Sequence, residues 1–233
     1  PILLLGYTPP EMTRALVENR VTQDVPSLEL ARAYSREAGA FGGTLRVHLK
    51  LDTGMGRLGF QCDEAHFDQS LAEILEAMTL PHLDWEGVFM HFCVSDEPGD
   101  PACVEFTQLQ YQRFTHMIRE VETRTGRTFR IHHCDNSGGV LFHPDYAWDM
   151  CRPGIVLFGT EKMSVDFGLK PVMTLKSTVG PIKEYEPGTS VSYGRTYRAE
   201  GRRRIGVVPI GYADGLFRCL SNRWSVMTPW GPA

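Results

Sequence analysis

From residue 2 to about residue 154 the chain alternates short β-like runs with helical stretches, and no other feature limits the fold as strongly. "ILLLG" (2–6), "TQDV" (22–25), "LRVHLKLD" (45–52), "WEGVFMHF" (85–92), "FRIHHCD" (129–135) and "AWDMCRPG" (147–154) read as six strands. The helical stretches carry their own punctuation. "PPEMTRALVENR" (9–20) opens on prolines suited to a helix start. "SLELARAYSREAG" (27–39) has a serine N-cap and a closing glycine. "DEAHFDQSLAEILEAM" (63–78) places acids in its first turn, and a long helix over 101–126 ends in glycine. Strands alternating with helices predict parallel βαβ units. No GxGxxG follows any of the strands, which argues against a dinucleotide site. An open doubly wound sheet and a (β/α) barrel both satisfy the pattern. Polar residues at successive strand ends favour the barrel, whose active site lies at the C-terminal rim.

After about residue 168 the texture changes to Val, Thr, Tyr, Gly and Pro with a turn every eight to twelve residues. That reads as an antiparallel β domain. The expected fold class is α/β: a partial (β/α)8 TIM-type barrel over 1–165, with about six of eight strands, followed by a mainly antiparallel β domain over 166–233.

The formal net charge of −4 gives no reason to expect nucleic acid or an anionic membrane as partner, and Arg202-Arg203-Arg204 reads as a solvated turn. Six scattered cysteines without CxxC spacing fit free thiols in a reducing cytoplasm. His91-Phe92-Cys93 and His132-His133-Cys134 invite a zinc reading. Neighbours on a strand point to opposite faces, so neither trio converges on one ion, and no metal is expected. No apolar run is long enough to span a bilayer, and the first residues lack the basic region of a signal peptide.

The stretch "LKLDTGMGRLGF" (49–60) holds the first chemical clue. Leu45, Val47, Leu49 and Leu51 share one strand face, and Arg46, His48, Lys50 and Asp52 share the other. In a barrel the leucine face packs under helices and Lys50 points inward, where an unpaired ammonium is costly. Gly54 and Gly56 permit a tight loop that returns Arg57 to the rim. A solvated surface strand is the alternative. Other strand ends weigh against it. His91 closes one strand. "CDNSGG" (134–139) exposes backbone N–H groups suited to a phosphate, and "CRPGIVLFG" (151–159) ends another strand with Arg152 before a second amide-rich turn. An arginine between two such turns can meet a heteroaromatic nitrogen or an anion.

"VHLKLDTGMGRLGF", "HFCVSDE", "NSGG", "MCRPGIVLFG", "VSYGRTY" and "PIGYADGLFR" occur in the order and spacing of alanine racemases, and the chain resembles that family over essentially its whole length. The resemblance implies pyridoxal 5'-phosphate (PLP) as cofactor, a small amino acid as substrate, and a homodimer with active sites shared between subunits. By resemblance Arg152 meets the pyridine nitrogen, and a guanidinium keeps its proton, so that nitrogen stays unprotonated. Ser137, Gly154 and Ile155 match phosphate contacts, His91 supports Arg152, and Asn136 orients its neighbours. Tyr193 matches a base that exchanges the substrate α-proton. Its phenol, with an ordinary pKa of about 10, needs a neighbouring cation to act near neutrality. Arg57 matches that cation and the partner of the substrate carboxylate. Lys50 matches a lysine that becomes N6-carboxylated, which would turn two apparent cations into an ion pair. Asp96, Tyr212, Asp214 and Arg218 match residues along the substrate entrance. Helix capping for Ser137 and a structural ion pair for Arg152 are the plain alternatives.

The family's second base is a lysine that also carries PLP, within a motif absent here. The chain's lysines are Lys50, Lys162, Lys170, Lys176 and Lys183, and none sits in that context. With Pro1 in first place and six strands where a closed barrel needs eight, the chain reads as an internal piece of a racemase. Alone it is expected to be inactive and prone to aggregate at its "ILLLG" edge. A serine racemase of the same family and a non-catalytic degenerate racemase domain remain the alternatives. PLP-dependent decarboxylation is disfavoured by Arg152, since an acidic partner for the pyridine nitrogen would be needed.

Overall fold

A computed structural model describes residues 2–232. The chain forms two compact units, one running to Val172 and one beginning at Met173.

In the first unit the strands are β1 (Ile2–Leu4), β2 (Val21–Val25), β3 (Leu45–Asp52), the two-residue β4 (Phe60–Gln61), β5 (Leu83–Phe89) and β6 (Ile131–His133). They form one sheet in the order β1-β2-β3-β5-β6, with β4 added to the end of β3, and every pairing is parallel. This is part of a (β/α) barrel. The crossovers carry α1 (Thr13–Glu18), α2 (Leu28–Ala40), α3 (Phe67–Ala77) and α4 (Pro101–Thr125).

The helices start and stop where short-range chemistry dictates. Ser27 Oγ accepts the Leu30 N–H at 3.3 Å to cap α2. Asp100 caps α4 through the Ala102 N–H at 2.9 Å, Pro101 follows, and Gly126 ends the helix at φ 64°. The apolar face of β3 then does the packing: Leu45, Val47, Leu49 and Leu51 are each 0% exposed. They share one core with Ala31 and Tyr34 of α2, Leu71 and Ile74 of α3, and Phe114, Met117 and Val121 of α4. Each such leucine contributes roughly 1.5–3 kcal/mol by leaving water.

One expected strand does not form. Residues 147–154 run beside β6 and the residues just after it but make only two backbone–backbone bonds there, Asp149 N–H to His132 O at 3.1 Å and Arg152 N–H to Asp135 O at 2.9 Å. Pro153 has no N–H to extend the ladder. The segment is an irregular arm that delivers Arg152 to the sheet. Helix α5 (Ser137–Phe142) precedes it and α6 (Lys162–Asp166) follows it.

A bulge re-aims part of β5. Val47 pairs with Trp85, but His48 pairs with Gly87, so Glu86 is an extra residue. The shift puts Gly87 and Phe89 on the inward face beside His48 and Lys50, while Trp85 and Val88 stay in the core.

The second unit is antiparallel, as its composition suggests. β7 (Ile182–Tyr185) pairs with β10 (Arg203–Gly206), β8 (Ser190–Val191) with β9 (Tyr197–Arg198), and β11 (Met227–Thr228) with β12 (Gly231–Pro232). Among the described residues no helix is long and apolar enough to cross a membrane, and all six cysteines are free.

Gly87 must lack a side chain: a Cβ there would stand 2.5 Å from His48 Cε1 and 2.7 Å from Ile131 O. Gly87→Ala is expected to destabilise the protein by about 1–3 kcal/mol through overpacking, read as a lower urea midpoint at constant m-value. An unchanged midpoint would contradict this packing.

Candidate active site

The inward face of the sheet carries polar and aromatic side chains in register. Asp24, His48 and Gly87 form one row, and Lys50, Phe89 and His133 the next. Asp24, His48, Lys50, Phe89 and His133 are all buried.

Arg152 enters this layer from the irregular arm. Its Nη2 donates to Met90 O at 2.7 Å and Cys134 O at 3.0 Å. Its Nη1 donates to His133 Nδ1. His91 Nδ1 is farther, 3.4 Å from Nη2. Burial is the main reason that the guanidinium pKa falls to about 10, with Cys134 and Asp135 opposing.

The donor-only guanidinium fixes the tautomers behind it. His133 must accept at Nδ1, so the neutral ring carries its proton on Nε2 and donates to His48 Nδ1 at 2.9 Å. His48 then carries its proton on Nε2, which faces Glu86 Oε2 at 3.7 Å. Burial holds both rings neutral: the His48 pKa drops to about 4, and that of His133 is pushed well below the ordinary imidazole range, Arg152 adding to the effect. His91 falls to about 4 for the same two reasons, burial first.

Phe89 has two cations near its ring. Lys50 Nζ sits 4.6 Å and the Arg152 guanidinium 5.3 Å from its ring centroid. His133 stacks on the ring at 4.7 Å, and His48 meets it edge-on at 6.4 Å. Lys50 Nζ is buried without a hydrogen-bond partner among the described residues. Burial, then repulsion from Arg152, brings its pKa down to about 7. Asp24 completes the layer: burial raises its carboxyl to about 6 against the pull of Lys50, and its Oδ2 has no partner.

Two turns flank this layer. Asn136, rather than Ser137, caps α5, accepting the Gly139 N–H at 3.0 Å. It also accepts from Ser95 Oγ at 2.8 Å and donates to Phe92 O at 3.0 Å. That leaves Ser137 Oγ to accept from Gly154 N–H at 3.0 Å and Val156 N–H at 3.2 Å. Ile155, between them, is 47% exposed. Arg57 lies on the loop after β3 and is exposed. Asp52 shapes that loop by accepting the N–H groups of Gly54 and Gly56 at 3.0 Å and of Arg57 at 3.2 Å.

Lys50, Arg57, His91, Asn136, Ser137, Arg152, Gly154, Ile155 and Asp96 thus belong to the first unit, Asp96 on an exposed loop. Tyr193, Tyr212 and Arg218 belong to the second. Tyr193 is 88% exposed and follows Ser192, whose φ of 66° is unusual for a residue with a Cβ. Tyr212 is 70% exposed, and Asp214 holds its turn by accepting the Gly211 N–H at 2.9 Å. Among the described residues no group of His, Cys, Asp and Glu could hold a metal ion. Sequence reasoning missed His133 and Phe89 as parts of this layer. The alternation of β6 carried the signal for His133, and the bulge concealed that for Phe89.

Comparison with known proteins settles the lineage. Residues 1–162 match the family model "Alanine racemase, N-terminal domain", and residues 172–229 match "Alanine racemase, C-terminal domain". The chain belongs to the alanine racemase family. It is 40% identical over 230 residues to the alanine racemase of Desulfovibrio desulfuricans, covering 97% of this chain and 59% of that protein. The alanine racemase of Carboxydothermus hydrogenoformans is 39% identical, with 97% and 60% covered. The chain therefore spans about three fifths of the length of these alanine racemases. Among solved structures, the alanine racemase of Streptomyces coelicolor A3(2) superposes at a TM-score of 0.84 with 35% identity, covering 97% of this chain and 58% of that one. Histidine racemase from Leuconostoc mesenteroides superposes at 0.74 with 28% identity, covering 92% and 56%. The fold of alanine racemases thus also occurs in a protein named for a different amino acid.

The buried imidazoles predict acid sensitivity. His48 and His91 have folded pKa values of about 4, below the ordinary 6.5, so between those limits the unfolded chain binds more protons. Stability is present above pH 6.5 and is lost as pH falls toward 4. Asp24, raised from 3.8 to about 6, opposes this over the same interval. The urea midpoint is expected to fall between pH 7 and pH 4.5, and to fall more steeply in Asp24→Asn. A midpoint that rises on acidification, or a flatter profile in the variant, would contradict the assignment.

Proposed function

We propose that the protein is a PLP-dependent racemase that interconverts L- and D-alanine, supplying D-alanine for peptidoglycan, and that it works as a cytoplasmic homodimer with shared active sites. Because this chain spans 59% of its relative's length, the activity is assigned to the complete gene product. The observation that carries the reading is the Arg152 guanidinium. It is gripped by two carbonyls and a neutral imidazole, and its buried Nε still has no partner. Two residues further on, the Gly154 N–H enters the turn held by Ser137 Oγ, and no atom lies within 4 Å of the place of a Gly154 Cβ. One short segment therefore offers a cationic donor and, beside it, a turn whose backbone amides gather on Ser137 Oγ, groups of the kind a pyridine nitrogen and a phosphate call for.

Arg152 would face the pyridine nitrogen, and Ser137, Gly154 and Ile155 would hold the phosphate, with Asn136 fixing the turn. Bound PLP supplies an electron sink for the pair left when the substrate Cα–H breaks. Arg152 tempers that sink, since a guanidinium donates a hydrogen bond without yielding its proton, which favours reprotonation at Cα over other outcomes. His91, neutral and beside Arg152, supports the guanidinium. Arg57 binds the substrate carboxylate. Tyr193 takes or returns the α-proton on one face, as one of two bases. Asp96, Tyr212 and Arg218 line the entrance. The histidine racemase relative favours measuring the substrate range rather than assuming it, with serine as the first competitor to alanine.

Lys50 is the second chemically distinctive group. With its pKa near 7, an appreciable fraction of its side chain is a free amine at neutrality. The nitrogen lone pair can attack CO2: an N–C bond forms, the electron pair of one C=O π bond moves onto oxygen, and the nitrogen gives up one proton to water. The resulting carbamate carries the negative charge that Arg152 and Arg57 favour.

The gene product incubated with PLP and L-alanine in D2O is expected to form D-alanine with deuterium at Cα. Arg152→Glu should keep isotope exchange while losing racemisation selectivity. Failure of the wild type to exchange the α-proton of any amino acid would contradict the proposal. With 13C-bicarbonate at pH 8, a carbamate carbon resonance is expected in the wild type and not in Lys50→Arg. Identical spectra for the two would remove the carbamate.

A further inference from the structure

The Arg57 loop and the end of β5 come from distant parts of the sequence, yet one buried side chain joins them. Gln110 of α4 is 0% exposed. Its Oε1 accepts the Cys93 N–H at 3.1 Å. Its Nε2 donates to His91 O at 3.2 Å and to Thr53 Oγ1 at 3.3 Å. The backbone partners fix the amide orientation, because an N–H can only donate and a carbonyl can only accept. Thr53 is the first residue after β3 and begins the loop that carries Arg57. His91 and Cys93 lie just beyond β5.

The same helix holds the loop at two more points. Arg113 Nη1 donates to Thr53 O at 3.2 Å, while its Nη2 meets Glu64 Oε2 at 2.9 Å. Phe106 closes over Gly54, where a Cβ would stand 2.8 Å from the ring. From below, Asp52 ties the loop amides as described. Of these contacts only those of Gln110 reach both strand ends.

We propose that Gln110 is a positioning residue for the reaction: it sets the distance between the Arg57 loop and the His91 strand end, and so between the group that binds the substrate carboxylate and the group beside Arg152. Gln110 touches none of the reacting atoms. Its effect passes through backbone, at His91 and Cys93, and through the Thr53 side chain. The proposal rests on the racemase reading for its kinetic consequence, and on the hydrogen bonds alone for its structural one.

Three variants of the complete gene product test it. Gln110→Met keeps the length and removes every hydrogen bond. Gln110→Glu keeps an acceptor for Cys93 N–H but loses the donor and sets a carboxylate against His91 O. Thr53→Val removes only the link to the Arg57 loop and serves if Gln110→Met fails to fold. At a temperature well below unfolding, Gln110→Met is expected to lose about tenfold to a hundredfold in kcat/KM, most of it as a raised KM for alanine. Thr53→Val should raise KM by a few-fold with kcat unchanged. Amide exchange should accelerate at Cys93 in Gln110→Met and stay slow there in Gln110→Glu, while kcat/KM falls in both. A purely structural glutamine would lower thermal stability and leave KM and kcat of the folded variants within twofold of wild type, and that result would overturn the proposal. If the wild type racemises nothing, the functional reading falls instead. Unchanged exchange at Cys93 and across 53–57 in Gln110→Met would then overturn the clamp itself.

Discussion

A buried guanidinium sets the terms for everything around it. Arg152 reaches the inward face of the sheet with two backbone carbonyls and one imidazole as partners. Among the described residues no carboxylate pairs directly with it, so its charge is balanced by dipoles rather than by a counter-ion. Carbonyls fixed just past the ends of β5 and β6 cannot turn away, which keeps the cation in place without neutralising it. A group that accepts from Arg152 therefore meets a full positive charge in a dry environment.

The histidines follow from that charge. Because Arg152 only donates, His133 only accepts on that side, and the proton order runs outward through His48 to Glu86. Glu86 stands there because β5 carries a bulge, and His48 fits because Gly87 has no side chain. A backbone irregularity and a missing Cβ thus serve the electrostatics of a residue more than sixty positions away. Phe89 lies near both Lys50 and the Arg152 guanidinium, which eases their desolvation, while burial and then repulsion from Arg152 depress the lysine.

Much of this was legible in the sequence, and what was not has physical causes. The β/α alternation gave the parallel sheet, and the alternation within 45–52 placed Lys50 and His48 on the inward face, as found. The strand expected over 147–154 failed because β-like composition does not supply a ladder when Pro153 lacks a donor and only two backbone–backbone bonds form. Phe89 was hidden because a bulge changes face parity, and periodicity counts cannot see one. Helix capping, the plain alternative for Ser137, falls to Asn136, one residue earlier. The partnership of Arg152 with His133 depends on how the irregular arm folds back, which local pattern does not encode. Gln110 was invisible for a related reason: a glutamine on a long helix reads as surface until the helix is seated.

The central claim is that Arg152 presents a charged hydrogen-bond donor that keeps its proton at neutral pH. The most direct measurement is the 15N resonance of the pyridine nitrogen when ring-15N-labelled PLP is bound to the complete gene product. The account predicts the chemical shift of an unprotonated, hydrogen-bonded pyridine, with no change between pH 6 and pH 9. A pyridinium shift, or a titration within that interval, would contradict it.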